Sequence, residues 1–383
     1  MMFFNLVIAC TLFAVVSAAA GWYSGSNVNT VLGVAAGAKS TEVFAAGYSN
    51  TDGGVLWYSG DRSNGEPTST FKVGGINLSV AVSNDNSKVC VVGPSGIFYG
   101  NAGDDFTPNT ATGPWETLVT QNVRSFGTKG FAVVGRFKGE GTVNGVAVAA
   151  DGPDGTWTLH SIGLSLDQGY YARYGSFPST NTWYVTSGNW PHQSDDKLTN
   201  GIVERVSARI SVYYNVGDNT PQITFLSARN LLGTYPGAIS KTTDGGATWT
   251  KVFDSNGQFT INQIDCFDEQ NCYATGENGK KAVIVKTTDG GANWSNVMTL
   301  DGPKSLSAVR MISATEVWVS GGEPSSGPYA SKEIVGNYFH TSDGGATWDK
   351  TSFNGYGYDL TFKNGNGYAA ALFKKHTDIW FYQ

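Results

Sequence analysis

The chain has 383 residues, a formal net charge of −6 and only 15% charged residues. A chain without a basic balance lacks the electrostatic footprint that nucleic acids require, so no nucleic-acid partner is expected. The negative charge also disfavours adsorption to anionic membranes. The 50 glycines and 11 tryptophans favour short strands and tight turns over long helices. We therefore expect an all-β protein, and a closed β fold of this length can be a single domain.

The first twenty residues, MMFFNLVIACTLFAVVSAAA, predict a secretory signal peptide. An apolar core at residues 6–16 is followed by small residues that suit a signal peptidase. This run is shorter than the roughly 20 residues that span a bilayer, and no second run of spanning length follows. We expect a mature domain at residues 21–383 with no membrane span, secreted or in the lumen of the secretory pathway.

Cleavage would remove Cys10 and leave three cysteines. Cys266 and Cys272 flank FDEQN, the predicted turn of a hairpin, and an oxidising compartment favours a disulfide between them. Cys90 lies within KVCVVG, a predicted buried strand, where a thiol serves as a small hydrophobic group. Two Asn-X-Ser triplets predict N-linked glycosylation of a secreted chain, at Asn77 and Asn293.

Two internal repeats dominate the rest of the chain. A nine-residue box, KTTDGGATW at residues 241–249, returns as KTTDGGANW at 286–294 and as HTSDGGATW at 340–348. A longer unit of strand, polar turn and strand ending in glycine recurs, with clear copies at 31–47, 77–93, 260–276 and 305–321 and looser ones at 123–135, 170–188 and 358–372. Together these elements make four antiparallel strands about every fifty residues, the pattern of a β-propeller blade.

The predicted fold is a seven-bladed β-propeller of four-stranded antiparallel blades. The blades are expected at 29–75, 76–120, 121–163, 164–254, 256–300, 302–352 and 353–383. Residues 21–28 would supply the strand that the last blade lacks and close the ring, which removes open sheet edges. Blade four carries an insertion at about 190–236, and a second hairpin is its simplest content.

The three boxes are predicted to be scaffolding. An Asp at a turn can accept backbone N–H groups, Gly permits a positive φ, and Trp packs between sheets. The copies lie on different blades, so their carboxylates cannot converge on one metal ion. The predicted structural residues are Asp244, Gly246, Trp249, Asp289, Gly291, Trp294, Asp343, Gly345 and Trp348.

These boxes resemble the Asp-box (BNR-repeat) propellers of the sialidase-like superfamily. That superfamily includes sialidases, xyloglucan-active hydrolases, the sortilin luminal domain and a group similar to photosystem II assembly and stability factors. The arrangement CYATG followed by KTTDGG is most similar to the last group, and the resemblance covers most of residues 29–383. It implies the propeller fold and two activities: a sialidase-like extracellular glycoside hydrolase or a scaffold for photosystem assembly.

The sequence provides no catalytic set. A sialidase resemblance implies an Arg-Ile-Pro motif, which the chain lacks; the nearest string is Arg209-Ile210-Ser211, inside the insertion. A glycosidase also needs two carboxylates roughly 5–10 Å apart, and no pair stands out. The four histidines are scattered without ligand spacing, so neither a metal nor a cofactor is predicted, and the catalytic residues are unknown.

Three arginines are candidates for ligand binding. Arg124, Arg173 and Arg310 occupy first-strand positions of their blades, and first strands line the central channel of a propeller. Planar guanidinium groups suit a ligand carboxylate. The alternative is that they pair with channel carboxylates such as Asp265, itself a candidate, or Asp359.

A second candidate surface is aromatic. Tyrosine and tryptophan crowd blade four beside the insertion, and such side chains often serve interfaces, although strand alternation assigns about half of these to the core. They are Tyr170, Tyr171, Tyr174, Trp183, Tyr184 and Trp190. The sequence therefore predicts a secreted, non-catalytic binding module for a protein partner or a glycan, with the hydrolase and the assembly scaffold as alternatives.

Overall fold

A computed structural model gives the fold of the chain. It describes residues 29–382, with gaps at 40, 50–51, 61–66, 76, 165–170, 189–196, 200–201, 208–209, 216–220, 226–236, 279–280, 301–304, 324–334, 355, 364–365 and 373–376. The predicted signal peptide and residues 21–28 thus lie outside the described residues. Within the described part of the chain, no helix is long and apolar enough to cross a membrane.

The regular secondary structure of the described residues is β-strand. The first three blades contain β1 (Asn29–Ala36), β2 (Val43–Ser49), β3 (Gly53–Ser59), β4 (Ser69–Lys72), β5 (Ser79–Val82), β6 (Lys88–Gly93), β7 (Gly96–Asn101), β8 (Asn109–Thr110), β9 (Glu116–Phe126), β10 (Gly130–Lys138), β11 (Thr142–Ala149) and β12 (Thr158–Ser161). Each blade is an antiparallel sheet whose strands follow chain order. Blade three begins at β9, a few residues before the predicted boundary.

Blade four and its insertion follow. They contain β13 (Tyr171–Ser176), β14 (Trp183–Gly188), β15 (Lys197–Thr199), β16 (Ile202–Ser207), β17 (Ile210–Asn215), β18 (Pro221–Phe225), β19 (Gly237–Thr242) and β20 (Thr250–Asp254). Strands β13, β14, β19 and β20 form the blade, whereas β15 to β18 form a separate four-stranded antiparallel sheet. The insertion therefore contains more than the predicted second hairpin.

The last part of the chain completes the ring. It contains β21 (Thr260–Cys266), β22 (Cys272–Glu277), β23 (Ala282–Thr287), β24 (Ser295–Leu300), β25 (Ser305–Met311), β26 (Val317–Glu323), β27 (Val335–Thr341), β28 (Asp349–Asn354), β29 (Tyr356–Lys363), β30 (Asn366–Leu372) and β31 (Thr377–Tyr382). Strands β21–β24 and β25–β28 are complete blades, and β29–β31 form a three-stranded sheet.

The fold is a β-propeller in which the described residues form six four-stranded blades. The innermost strands β1, β5, β9, β13, β21, β25 and β29 contact one another in this order, and β29 contacts β1. At that junction the Val34 N–H donates to Asp359 Oδ2 (3.2 Å). The prediction of seven four-stranded blades is therefore corrected, because the last sheet has three strands in the described part of the chain. Residues 21–28, the predicted closing strand, lie outside that part.

Hydrophobic side chains fill the spaces between neighbouring sheets. Strand alternation sends half of each blade's side chains towards one neighbour and half towards the other. Between blades two and three, for example, Cys90, Phe131 and Val133 are all fully buried in one cluster. The core is thus a series of layers between neighbouring blades. Polar groups lie along the innermost strands, around the channel.

A recurring irregularity affects the innermost strands. The pairing of the first and second strands shifts register at Val31/Gly33 in β1, and the same shift recurs in later sheets. The further shifts lie at Ala172/Tyr174, Ile261/Gln263, Leu306/Ala308 and Gly357/Asp359. A bulge redirects the side chains that follow it, so these shifts set which residues point across the channel.

Candidate functional site

The first box is a turn closed by its own side chains. The Thr242 hydroxyl donates to Asp244 Oδ1 (2.7 Å) and accepts the Gly246 N–H (3.0 Å). The Asp244 carboxylate also accepts the N–H (2.9 Å) and the hydroxyl (2.5 Å) of Thr248. These bonds, with the Thr248 hydroxyl first, lower the pKa of Asp244 to about 2. The carboxylate is engaged within its own turn, by a residue four positions on.

The other two boxes repeat this arrangement. Asp289 accepts the N–H (2.9 Å) and the side-chain amide (2.7 Å) of Asn293, which lower its pKa to about 2. Asp343 accepts the N–H (2.9 Å) and hydroxyl (2.6 Å) of Thr347, and its pKa falls well below its ordinary value. The last glycine of each box lies in the left-handed region, with φ of 90°, 88° and 88° at Gly246, Gly291 and Gly345.

The boxes also tie neighbouring blades together. Lys241, the first residue of one box, donates to the carbonyl of Gly290 in the next box (2.6 Å). Lys286 donates in the same way to the carbonyl of Gly344 (2.7 Å). The Gly290 N–H donates to the carbonyl of Gln270, in the hairpin turn of its own blade (3.0 Å). The lysine and the two glycines of KTTDGG thus have a joint structural task.

A second polar cluster lies near the C-terminal ends of the innermost strands. Arg310 of β25 donates to Gln263 of β21 (3.0 Å) and to Asp359 of β29 (3.3 Å). The Arg310 and Asp359 side chains are only 8% and 12% exposed, so this is a buried ion pair. The Gln263 side chain also accepts the Val309 N–H (2.6 Å). Arg310 therefore links its own sheet to the neighbouring sheets on both sides.

Gln263 is absent from the predicted site residues. Its sequence signal is its repeat position, two residues before Asp265 on the same strand. The position carries no charge and aligns with apolar residues in other blades, such as Val34 and Ala308, so it does not stand out. A register shift in β21 directly precedes Gln263, and its side chain accepts a hydrogen bond from Arg310 of the next blade.

The two carboxylates of this cluster accept backbone hydrogen bonds. Asp265 Oδ2 accepts the Met311 N–H (2.8 Å). Asp359 accepts the Val34 N–H (3.2 Å) and the Leu360 N–H (3.0 Å) in addition to Arg310. Both groups therefore stabilise contacts between strands. Among the described residues, no group of three or more His, Cys, Asp or Glu side chains is placed to hold a metal ion.

Arg124 of β9 lies in the same electrostatic environment. Burial, followed by the charge of Arg310, lowers its pKa to about 10, while Asp265, Asp359 and Tyr174 act in the opposite direction. The guanidinium is therefore still protonated at neutral pH. The residue as a whole is half-buried, but its Nε and Nη2 atoms are fully buried and have no hydrogen-bond partner among the described residues. We call Arg124, Asp265, Arg310 and Asp359 the channel mouth.

Arg173, the third predicted arginine, is placed differently. It lies at the register shift in β13 and is fully buried. It lies near the start of β13, whereas Arg124 and Arg310 lie near the last residues of β9 and β25. The structure thus brings together two of the three predicted arginines, and it adds Asp265 and Asp359, which the sequence offered as their partners.

The aromatic side chains of blade four lie largely in the core. Tyr174, Trp183 and Tyr184 are 6%, 2% and 0% exposed. The Trp183 ring packs edge-on against Phe126 of blade three, with centroids 5.4 Å apart. These three residues therefore do not belong to the predicted aromatic surface, because their side chains fill the layers between blades. Of the other candidates, Tyr171 begins β13 and its side chain lies outside the described part, as do Tyr170 and Trp190 entirely.

The insertion leaves blade four at the strand ends opposite to the channel mouth. It joins the blade between Gly188, the end of β14, and Gly237, the start of β19. Gly188 pairs with Tyr171, the first residue of innermost strand β13. The channel-mouth residues Arg124, Asp265 and Arg310 instead lie near the last residues of their strands. The insertion therefore joins blade four at the strand ends opposite to those that carry the channel mouth.

The cysteines divide into a bridge and a buried thiol. Cys266 and Cys272 form a disulfide between paired positions at the end of β21 and the start of β22. Cys90 is a free, fully buried cysteine, and burial raises its pKa well above the ordinary value. Such a thiol is unreactive and serves packing.

The two predicted glycosylation sites differ in access. Asn77 is fully buried and its side-chain amide donates to the Val55 carbonyl (3.2 Å). A glycan has no room there in the folded chain, so this prediction is corrected. Asn293 is exposed, although its amide also donates within the second box, to Asp289.

Comparisons with known proteins support the fold alone. No protein-family model matches the chain. No curated protein sequence matches it either. Among solved structures, the β-propeller domain of Cps50 (Swd1) from Myceliophteria thermophila is similar, with a TM-score of 0.51 and 8% sequence identity. The alignment covers 94% of this chain and 98% of that domain, and at such identity it shows a propeller and nothing about the ligand.

Proposed function

We propose that this chain is a secreted, non-catalytic propeller that binds a carboxylate group, carried by a glycan or a protein partner, at the channel mouth through Arg124. The observation that carries the proposal is the buried guanidinium whose Nε and Nη2 have no hydrogen-bond partner among the described residues. A buried charged donor without an acceptor is costly to a fold. A ligand carboxylate would supply two parallel acceptors in the geometry that guanidinium groups prefer.

The state of the two channel carboxylates favours binding over hydrolysis. A glycosidase requires one carboxyl group as acid and another as base or nucleophile, both directed at the substrate. Asp359 is paired with Arg310 and accepts two backbone N–H groups, and Asp265 accepts a third. Neither is held for proton transfer. These contacts favour a binding role over the sialidase-like alternative.

The disulfide supports the secreted part of the proposal. Disulfides persist in oxidising compartments and are rare in the cytosol. The bridge between Cys266 and Cys272 closes a hairpin turn in blade five, beside the channel mouth. Together with the signal peptide expected at residues 1–20, it is consistent with folding in the secretory pathway.

The test is a binding screen with a matched pair of variants. The purified mature protein is applied to glycans that end in glucuronic or sialic acid and to their methyl esters, and to peptides with free or amidated C-termini. Arg124→Gln should lower affinity for the free carboxylates at least tenfold. Lys138→Gln, which removes a charge from an exposed side chain on blade three, should leave it unchanged. Thermal unfolding of each variant shows that both are folded.

The outcomes separate the possible ligands. Preference for acidic glycans assigns a lectin-like role, and preference for free C-termini assigns a protein partner. Equal binding by Arg124→Gln and the parent protein would overturn the carboxylate site. A fluorogenic glycosidase panel is run alongside, and turnover of any sugar would overturn the non-catalytic part of the proposal.

A further inference from the structure

Two apolar side chains are exposed on adjacent blades. Among the described residues, the large hydrophobic side chains that are exposed are Phe267 (50%) and Ile312 (37%). Each is the first residue after the innermost strand of its blade, and each donates its N–H across the turn, to Asn271 (3.0 Å) and Glu316 (2.8 Å). The two residues therefore occupy the same position in two copies of one structural unit.

The two turns are direct neighbours. The Met311 N–H, one residue before Ile312, donates to Asp265, two residues before Phe267 (2.8 Å). This bond holds the ends of β21 and β25 side by side on one face of the propeller. We call Phe267 and Ile312 the apolar pair.

In blades one to three, the residue at this repeat position is small, polar or covered by neighbouring side chains. In blade three it is Phe126, which is 6% exposed because the rings of Phe177 and Trp183 pack against it. In blades one and two the aligned residues are the small Ala38 and the polar Asn84. An aromatic ring at this position is therefore covered by the chain itself in blade three, whereas the ring in blade five remains half-exposed.

The turn that carries Phe267 is held in a fixed shape. The disulfide between Cys266 and Cys272 closes it at its base. Within it, Asp268 accepts the N–H groups of Gln270 (2.8 Å) and Asn271 (2.7 Å). A rigid aromatic group loses little conformational freedom on binding, which is the property of side chains that dominate interfaces.

Carboxylates surround the apolar pair. Asp268 and Glu269 lie in the turn of Phe267, where the Tyr184 hydroxyl donates to the Glu269 carbonyl (2.7 Å). Asp289 lies in the box that contacts this turn, because the Gly290 N–H donates to the Gln270 carbonyl (3.0 Å). Glu316 lies in the turn of Ile312, and Asp343 lies in the box that contacts this turn through the Gly344 N–H. Glu269, Asp289 and Asp343 are exposed. We call these five carboxylates the acidic rim.

The nearby cations do not neutralise this rim. Among the described residues, Lys241 and Lys286 donate to the box carbonyls of Gly290 and Gly344, and His340 Nε2 lies 3.3 Å from Glu316 Oε1. Five carboxylates outnumber these three groups. An apolar centre with an acidic rim is complementary to a partner surface with an apolar centre and a basic rim. Charge complementarity thus identifies the chemistry of the occupant.

We propose that the apolar pair and the acidic rim form a docking surface for a protein partner that presents an apolar side chain flanked by lysine or arginine. The partner's apolar group lies against Phe267 and Ile312, and its cationic groups face Glu269 and the neighbouring carboxylates. This surface lies beside the carboxylate site proposed above but does not use Arg124.

Synthetic peptides test the proposal directly. The probe is a fluorescein-labelled peptide with one phenylalanine and one leucine flanked by lysines. Two control peptides replace the lysines with glutamates or the apolar residues with serines. Fluorescence anisotropy should show binding of the first peptide only, and its affinity should fall as salt rises because the rim is exposed.

Variants of the mature protein locate the binding. Phe267→Ser should weaken the lysine peptide at least tenfold and Ile312→Ser less, because Phe267 presents the larger surface. Glu269→Gln should weaken binding a few-fold and reduce its salt dependence. Glu140→Gln, an exposed charge change in the loop between β10 and β11, is the matched control and should have no effect. Arg124→Gln should also bind the peptide normally.

Three results would overturn the docking surface. They are equal binding of the glutamate and lysine peptides, unchanged binding by a Phe267→Ser, Ile312→Ser double variant, and no binding of the lysine peptide above the serine control. Loss of peptide binding in Arg124→Gln alone would move the site to the channel. Thermal unfolding curves verify that the exposed substitutions leave the fold intact.

Discussion

The boxes and the channel mouth are both polar, yet they are built in opposite ways. Each box satisfies its carboxylate within nine residues and repeats the same bonds on the next blade. The channel mouth joins residues from four sheets, and no blade repeats its neighbour's contribution: Arg124, Asp265, Arg310 and Asp359 differ in charge or in partners. It also leaves two buried guanidinium nitrogens of Arg124 without an acceptor among the described residues.

This difference distinguishes scaffold residues from candidate ligand-binding residues in a repeat protein. Groups that recur on successive blades and form their hydrogen bonds among themselves serve the scaffold, because each blade must solve the same folding problem. Groups that break the repeat, and that the fold leaves unsatisfied, are candidates for a ligand. Four variants or conditions test whether the two regions truly divide in this way.

The largest effect is expected from the ion pair of the channel mouth. Arg310→Met leaves the Asp359 carboxylate buried without its cation and removes the donor to Gln263. Breaking a buried pair on one side typically costs about 3–5 kcal/mol. Urea unfolding of the variant and the parent protein measures the loss. A change below about 1 kcal/mol would show that this pair is not structural.

A glycine of the first box is the next test. Gly246 has a φ of 90°, and a Cβ there would lie 2.7 Å from Trp183, so Gly246→Ala should cost about 2–4 kcal/mol. Gly53 is the matched control, since its φ is 78° but nothing lies within 4 Å of its Cβ. Gly53→Ala should cost only about 1–2 kcal/mol. Equal losses in calorimetry would mean that packing at the box adds nothing.

The disulfide beside the channel mouth should have a smaller effect. Replacing Cys266 and Cys272 with serine reopens a short loop, for which chain entropy predicts a loss of about 2 kcal/mol. Reductant should destabilise the parent protein by a similar amount and leave the double variant unchanged. Destabilisation of both proteins by reductant would show that the effect does not come from this bridge.

The smallest expected effect is the loss of stability in acid when the box carboxylates become protonated. Their pKa values lie below the unfolded values, at about 2 for Asp244 and Asp289, so their contribution is present above pH 4. It is lost as the pH falls from about 4 through 2. The melting temperature of an Asp244→Asn, Asp289→Asn, Asp343→Asn variant should therefore depend less on pH in this window. Parallel curves for variant and parent would contradict the proposed task of the boxes.

Much of the scaffold is predictable from the sequence, because it is written as a repeat. The period-two strands, the box turns and the hairpin of Cys266 and Cys272 all follow from local patterns. The three-stranded last sheet and the four-stranded insertion do not, since both depend on pairing rather than on composition. Asn77 shows the same limit: its triplet is a surface motif in the sequence and a buried, hydrogen-bonded side chain in the fold.

The site is predictable only in part. Arg124 and Arg310 stand out because they are charged residues at one repeat position, but Gln263 depends on a register shift that no local pattern indicates. The apolar pair escapes sequence reasoning for a related reason. Phe126 and Phe267 have the same repeat position, and only the packing of Phe177 and Trp183 over Phe126 distinguishes the buried ring from the exposed one.

The most direct test of the account is the stability of Arg124→Met in urea, measured at neutral pH in a buffer free of carboxylates. If Arg124 is kept for a ligand, replacing this buried and unsatisfied cation with an apolar side chain of similar length should leave the free energy of unfolding unchanged or raise it. A loss of several kcal/mol, like that expected for Arg310→Met, would contradict the account and assign Arg124 to the scaffold.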